Sequence, residues 1–145
     1  DFAQLGMELD RVYHGVAVAL GMPDSVLNLL ITIYEEGDGL PPSQLYGKWS
    51  LSKQTGHSAL KWLERRNLIR LSPSPGSRRR KGVYLTAQGQ EYAGKTVAPL
   101  LSAEEAAFGS LTGEERETLM RLTGKILCKL KEETAGMGLP ARETL

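Results

Sequence analysis

Apolar residues recur at spacings of three and four along the first twenty residues of the chain. This spacing is typical of one stripe of an amphipathic helix, because an α-helix has about 3.6 residues per turn. Gly21 and Pro23 are typical of the residues at a helix end. A second helix is predicted over residues 24–36, and its apolar residues occur nearly all round, which indicates a place in the core.

Two shorter helices are predicted next, over residues 43–48 and 53–66. Ser52 is the expected N-cap of the second, since a serine oxygen can accept a hydrogen bond from a free backbone N–H. Two helices joined by a short turn form a helix-turn-helix. We interpret Gly56 as permitting close approach of the preceding helix. The predicted inward positions are Gly56, Ala59, Leu60 and Leu63.

A β-hairpin is predicted after the helix-turn-helix. Residues 68–71 and 82–85 have strand character, and residues 72–77 are turn-forming. This assignment places the basic run 78–81 at the tip of the hairpin.

Two long helices are predicted to end the chain. Thr86 caps the first, which runs toward Phe108. Thr112 and Glu115 have the spacing of a capping box, in which each side chain satisfies a free backbone donor of the other. The last helix is expected to end near Thr134. The predicted fold class is therefore mainly α with a small β-hairpin.

The distribution of charge is uneven, although the net charge is only +1. Residues 48–82 hold ten basic residues and a single acidic one, Glu64, so this segment carries +9 and the rest of the chain −8. Such a segment is typical of a module that binds a polyanion. A solvated basic face, or a surface that contacts an acidic protein partner, would give the same pattern.

Composition excludes several classes of protein. With 145 residues, 41% apolar and 24% charged, the chain suits one globular domain rather than a disordered segment. No apolar run approaches the roughly 18 residues of a membrane span, and no secretion signal is found. The single cysteine, Cys128, excludes a disulfide framework and fits a reducing cytosol, so a cytoplasmic location is expected. No catalytic arrangement of His14, His57 or paired carboxylates is found, so neither an enzyme nor a cofactor or metal is expected.

Three sequence motifs, in the order in which they occur along the chain, resemble those of the MarR family of bacterial transcription regulators. They are residues 51–55, residues 63–69, and Arg79 followed by residues 85–89. The resemblance implies a winged helix-turn-helix in residues 23–86, with residues 1–22 and 87–135 forming a helical dimerisation region.

The resemblance also implies function. A sequence-specific regulator of transcription is expected, acting on double-stranded DNA as a homodimer and most simply as a repressor. Residues 136–145 are expected to be a flexible tail. The apolar surface of the end helices independently favours a second copy, although a monomer that packs these helices on its own core is the alternative.

Several departures from the family pattern are visible, among them Gly56 and Ser58 of the helix over residues 53–66, where bulkier residues are common. Asn67 stands where the family usually has glycine, and asparagine is the residue next best able to adopt a left-handed backbone. Ser50 replaces the glycine of the helix-turn-helix turn. Ser77 replaces an aspartate that orients the wing arginine in the family.

The helix over residues 53–66 is the expected recognition helix, which would enter the major groove. Gln54 can bond adenine, and His57 can donate to guanine or a phosphate. Lys48, Lys53 and Lys61 are expected at phosphates. The predicted DNA-binding residues of this region are Ser52, Lys53, Gln54, Thr55, His57, Ser58 and Lys61. For each hydroxyl, a capping or water contact is the alternative.

The resemblance singles out Arg79 of the hairpin to enter the minor groove, with Arg78 and Arg80 at neighbouring phosphates. A flexible, solvated tip is the alternative. Of Arg65, Arg66 and Arg70, at least two are expected to be ordinary surface residues.

A small apolar or phenolic effector is a further expectation from the family. Tyr13, Tyr34 and Trp49 are the candidate contacts, although core packing explains them equally well. The alternative function for the whole chain is a winged-helix protein-interaction module that binds an acidic protein partner.

Overall fold

The computed structural model describes residues 1–74 and 76–139, and at Arg78 the backbone only. Its described part is mainly helical with one antiparallel β-hairpin, so the predicted fold class is confirmed. It contains two compact units, Asp1–Leu101 and the residues from Ser102 onward. The elements are α1 (Phe2–Leu20), α2 (Asp24–Glu36), α3 (Pro42–Lys48), α4 (Lys53–Arg65), β1 (Ile69–Ser74), β2 (Ser77–Leu85), α5 (Ala87–Gly109) and α6 (Gly113–Ala135).

The core of the first unit is built around α2. The bounds and the central position of this helix agree with the prediction. Apolar side chains from α3, α4, the hairpin and α5 complete the core because each contributes one apolar face. The buried residues of α2 are Val26, Leu27, Leu29, Leu30, Ile31, Thr32 and Ile33.

Helix α1 has the predicted length but buries only Ala17. It ends at Gly21, whose φ of 67° is a left-handed conformation that glycine adopts without steric cost. Most of its apolar stripe is exposed, including Leu5 and Leu9. No single described helix is long and apolar enough to cross a membrane. Helices α1 and α2 reach that threshold only as a pair, and they are bent by 92°.

The helix-turn-helix consists of α3 and α4. Ser50 in the turn has a φ of 51°, the left-handed conformation for which the family uses glycine. Gly56 faces Tyr46 of α3, and a Cβ at this position would lie 2.3 Å from the ring atom Cδ1. The interpretation of Gly56 as a close-approach residue is therefore confirmed.

The hairpin is longer than predicted. Strand β1 continues to Ser74 and β2 begins at Ser77, so the predicted turn over residues 72–77 was too wide. The basic run 78–81 lies within β2 and is not a loop. None of the described side chains in this added part of the ribbon is buried, so it carries no apolar alternation for the pattern to detect.

A junction of tight contacts joins the hairpin to α5. Asn67 has a φ of 57°, as its place in the family pattern suggested. Thr86 caps α5 by accepting a hydrogen bond from the Gly89 N–H at 2.9 Å, and its hydroxyl donates to the Asn67 carbonyl. A Cβ on Gly89 would lie 1.8 Å from the Leu68 carbonyl oxygen, so only glycine fits here. Helix α5 runs through Pro99 without a break.

The second unit contains the end of α5 and the whole of α6. Thr112 and Glu115 form the predicted capping box. Helix α6 buries none of its residues. The predicted flexible tail lies partly outside the described residues, since the description ends at residue 139.

Candidate nucleic-acid interface

The N-terminus of α4 is fixed by a side-chain cap. Ser52 Oγ accepts a hydrogen bond from the Thr55 N–H at 3.1 Å and donates to Thr55 Oγ1 at 2.9 Å. The predicted cap is confirmed, and it uses both the donor and an acceptor position of the Ser52 hydroxyl. Thr55 keeps its own hydroxyl proton for another acceptor.

The outward surface of α4 carries the predicted recognition residues. The core side is formed by the four predicted inward residues, all of which are buried. This arrangement leaves polar and cationic groups facing away from the protein. The exposed residues are Ser52, Lys53, Gln54, Thr55, His57, Ser58 and Lys61.

The hairpin contains a three-residue bulge on β2. From Ile69↔Leu85 to Pro73↔Lys81 the pairing is regular, but Ser74 pairs with Ser77 rather than with Arg80. Residues 78–80 are thus extra residues on β2.

Ser77 supports this bulge. Its Oγ accepts hydrogen bonds from the backbone N–H groups of Arg79 and Arg80, each at 3.3 Å. The hydroxyl therefore holds the backbone at the position where the family uses an aspartate. The side chains of Arg79 and Arg80 are exposed. The side chain of Arg78 lies outside the described part.

One groove joins the recognition helix to the hairpin. Its cationic and polar edge is formed by Lys53, Gln54 and His57 of α4 together with Arg80 and Lys81 of β2. The structure thus brings together four of the predicted residues from two separate elements. The other lining residues are Pro41, Pro42, Ser43, Tyr46, Gly47, Leu51, Leu60 and Leu71.

Sequence reasoning missed the contribution of α3 and of Lys81 to this groove. The start of α3 supplies Pro42 and Ser43 to the lining. The sequence contained one indication that α3 lies beside the groove, which is that α3 and α4 are joined by a short turn.

Three basic residues of the same region are already engaged inside the protein. Lys48, predicted at a phosphate, forms an ion pair with Glu36. The Arg66 guanidinium lies 3.5 Å from the centroid of the Trp62 ring, and Arg70 lies over the ring of Tyr84. Stacking on an aromatic face stabilises a guanidinium and fixes its position. These cations are therefore less available to a ligand than those on the outward face of α4.

The three candidate effector contacts do not line this groove. Trp49 Nε1 donates a 2.7 Å hydrogen bond to Oγ1 of Thr32, a residue that is only 1% exposed. Tyr34 packs against the core, and Tyr13 is half-buried on α1. Trp49 thus connects the end of α3 to the central helix, a contact that the sequence did not indicate.

Two tyrosine hydroxyls of the first unit have shifted pKa values. Burial raises the pKa of the Tyr46 hydroxyl, and burial also raises the pKa of Tyr92 against an opposing effect of the nearby Arg66. His14 Nδ1 lies 2.8 Å from Asp24 Oδ1 and links α1 to the start of α2. Among the described residues no three His, Cys, Asp or Glu side chains are grouped to hold a metal ion.

Comparison with known proteins finds similarity over the same region. The model of the MarR family matches residues 20–80. A transcriptional regulator, HosA of Escherichia coli O111:H-, is 34% identical over 76 residues, which are 52% of this chain and 56% of HosA. HosA of Escherichia coli O127:H6 is 32% identical over the same length. The chain spans about half the length of the curated relatives it matches.

Solved structures extend the likeness to nearly the whole chain. A MarR family regulator from Neisseria meningitidis has a TM-score of 0.70 at 22% identity, covering 94% of this chain and 97% of that one. MepR of S. aureus in its DNA-binding conformation has a TM-score of 0.75 at 22% identity, covering 89% and 95%. The MepR–DNA complex has a TM-score of 0.68 at the same identity, covering 89% and 94%. At these identities the structures establish the fold.

Proposed function

We propose that the chain belongs to the MarR family, whose model matches residues 20–80, and that it is a sequence-specific regulator of transcription that binds double-stranded DNA. The observation that carries the proposal is the groove in which Lys53, Gln54 and His57 of α4 meet Arg80 and Lys81 of the hairpin. A recognition helix and a wing that share one cationic surface can contact adjacent grooves of a duplex. HosA is a transcriptional regulator and MepR binds DNA, which supports the same function here.

Helix α4 reads base edges in the major groove. Gln54 offers the donor and acceptor pair that matches adenine, and His57 can donate to guanine. Both side chains are exposed near the N-terminus of α4, the end that points toward the bases in this motif. Lys53 and Lys61 contact phosphates, which sets the position of the helix without reading sequence.

The hairpin acts as the wing. Arg79 enters the minor groove, where a narrow groove concentrates negative potential. The bulge presents this side chain to solvent, and Ser77 holds the backbone of the bulge. Arg80 contacts a neighbouring phosphate, and Arg78 is assigned the same role on sequence grounds alone.

The functional form is a homodimer. Helices α1 and α6 expose apolar side chains that a second copy would cover, since such faces mark interaction sites. Two copies place two recognition helices about 34 Å apart, one turn of the duplex.

Repression follows from occupancy of the operator in the cytoplasm, where bound protein excludes polymerase. Relief by a small apolar or phenolic effector near Tyr13, Tyr34 and Trp49 stays a prediction, and no catalytic role is assigned.

The test is binding to a duplex from the DNA upstream of the protein's own coding sequence. If the dimer makes about six to ten phosphate contacts, affinity should fall roughly 10³- to 10⁵-fold between 50 and 200 mM salt. Arg79→Ala should weaken binding strongly, whereas Arg66→Ala, which removes a charge stacked on Trp62, should weaken it little.

Two results would contradict the proposal. Unchanged affinity of the Arg79→Ala variant would overturn the wing assignment. Equal, salt-insensitive affinity for upstream and random duplexes would favour the alternative, a module for an acidic protein partner.

A further inference from the structure

The outward face of α4 continues beyond the residues assigned to DNA. Successive residues of a helix are rotated by about 100°, so Gln54, Ser58, Lys61 and Arg65 lie within an arc of about 60°. This arc is opposite the buried side of the helix. Arg65 is therefore aligned with the recognition residues, whereas Arg66 is on the flank, where it stacks on Trp62.

Arg65 differs in its contacts from three other basic residues of this region. Lys48, Arg66 and Arg70 each have an acidic or aromatic partner within the protein. For Arg65 the described residues provide no ion pair, hydrogen bond or ring contact, and its side chain is exposed.

Like charges on the surface of α4 repel each other in the protein without DNA. Lys61 and Arg65 are four residues apart, so two like charges lie next to each other on the helix surface. Glu64 is one residue from Arg65 and forms no ion pair with either cation in the described structure. A polyanion placed along this face would turn the repulsion into attraction.

The distance along the helix decides which part of DNA Arg65 would reach. Arg65 is eleven positions after Gln54, which is about 16.5 Å along the helix axis. The major groove is about 12 Å wide. If Gln54 reaches base edges, Arg65 lies beyond the opening of the groove, at the height of the sugar-phosphate backbone.

We infer that Arg65 is a further DNA-binding residue, whose guanidinium contacts a phosphate at the wall of the major groove that α4 enters. This inference rests on the proposed function. It agrees with the expectation that at least two of Arg65, Arg66 and Arg70 are ordinary surface residues, and it singles out Arg65 as the one without a partner among the described residues.

The experiment measures the salt dependence of DNA affinity for the full chain and for Arg65→Gln, with Arg66→Gln as the control that removes the same charge one residue away. Each lost phosphate contact should lower the slope of log K against log salt by about 0.9, or by about 1.8 for a dimer. Between 50 and 200 mM salt the wild-type affinity should thus fall about 12-fold more than that of the Arg65→Gln dimer. Arg66→Gln should keep the wild-type slope.

A phosphate contact makes two more predictions. Arg65→Gln should weaken binding to upstream and random duplexes by the same factor, because a phosphate carries no sequence information. Arg65→Lys should restore most of the slope, since lysine also binds phosphate. Circular dichroism of each variant checks that α4 is intact.

The outcomes separate the inference from the proposed function. If the wild-type chain binds no duplex at all, the proposed function fails. If it binds and the slopes for Arg65→Gln and Arg66→Gln are equal, the inference is wrong, and Arg65 serves only the C-terminal end of the helix dipole. If Arg65→Gln changes the preference between duplexes, Arg65 reads a base and the phosphate assignment is wrong.

Discussion

Helices α2 and α6 both carry apolar side chains at helical spacing, nearly all round α2 and along one stripe of α6, and their surroundings are opposite. Helix α2 has 13 residues and buries seven of them, whereas α6 has 23 residues and buries none. Leu30 of α2 is 0% exposed, and Leu122 of α6 is 45% exposed. The difference shows that a helical stripe in a sequence identifies a face that must be covered, but not whether the same chain covers it.

The largest expected effect tests the buried side of this comparison. Leu30→Ala should lower the free energy of unfolding by about 2–5 kcal/mol, because it removes a fully buried side chain and leaves a cavity. Urea unfolding at several protein concentrations measures this loss. It should be the same at every concentration, since α2 is covered by its own chain.

Leu122→Ala in α6 removes the same side-chain atoms as Leu30→Ala in α2 and is its control. It should cost little at concentrations where the chain is monomeric and more as a dimer forms. An equally large loss from Leu122→Ala in dilute solution would show that α6 is covered by its own chain.

The second expected effect concerns assembly. Leu122→Glu places a carboxylate in the exposed apolar face of α6 and should weaken dimerisation at least about tenfold, because burying an unpaired charge is costly. Sedimentation equilibrium measures the dissociation constant. Cys128→Glu, opposite Leu119 and Ile126 on the same helix, should leave it nearly unchanged. Equal effects of the two variants would contradict a dimer interface on this face of α6.

The third expected effect concerns the Trp49–Thr32 hydrogen bond, a buried contact with no counterpart on α6. Trp49→Phe should cost about 1–2 kcal/mol because the Oγ1 of Thr32, a residue that is 1% exposed, loses its donor. A double-mutant cycle with Thr32→Val isolates the hydrogen bond. If Trp49→Phe costs the same in the Thr32→Val background, the bond contributes nothing and only the ring packing matters.

The smallest expected effect is on pH dependence. Burial raises the pKa of Tyr46, so the folded state holds the phenol proton more tightly than the unfolded state does. The resulting contribution to stability is complete below the unfolded pKa of about 10 and is lost as the pH rises through the folded pKa. Urea midpoints from pH 8 to 11 should fall less steeply for Tyr46→Phe. If the urea midpoint falls equally steeply with pH in both proteins, Tyr46 does not contribute to the loss of stability at alkaline pH.

Much of the fold was predictable because local rules and tertiary packing agree. The bounds of α2, the Ser52 cap and the capping box at Thr112 follow from periodicity and short-range hydrogen bonding. The strand ends were not predictable. Residues 72–74, 77 and 81 pair across the ribbon with no buried apolar side chain among them, and residues 78–80 form the bulge, so no apolar signal marks these positions.

The candidate site was predictable only in part. Sequence reasoning identified the cations of α4 and the hairpin, and the structure brings Lys53 and Arg80 to one groove. The sequence did not indicate which cations already have an acidic or aromatic partner within the protein. The Lys48–Glu36 ion pair joins residues twelve positions apart, and the place of Arg66 over Trp62 depends on side-chain geometry.

The bulge on β2 determines where the sequence of this hairpin can gain or lose residues. The pairs from Ile69↔Leu85 to Pro73↔Lys81 keep Val83 in the core, and they do not depend on the number of residues beyond them. Insertions or deletions between Ser74 and Lys81 would therefore leave the inward alternation of the strands intact. The exposed end of the hairpin can thus vary in length while the paired part that packs on the core stays the same.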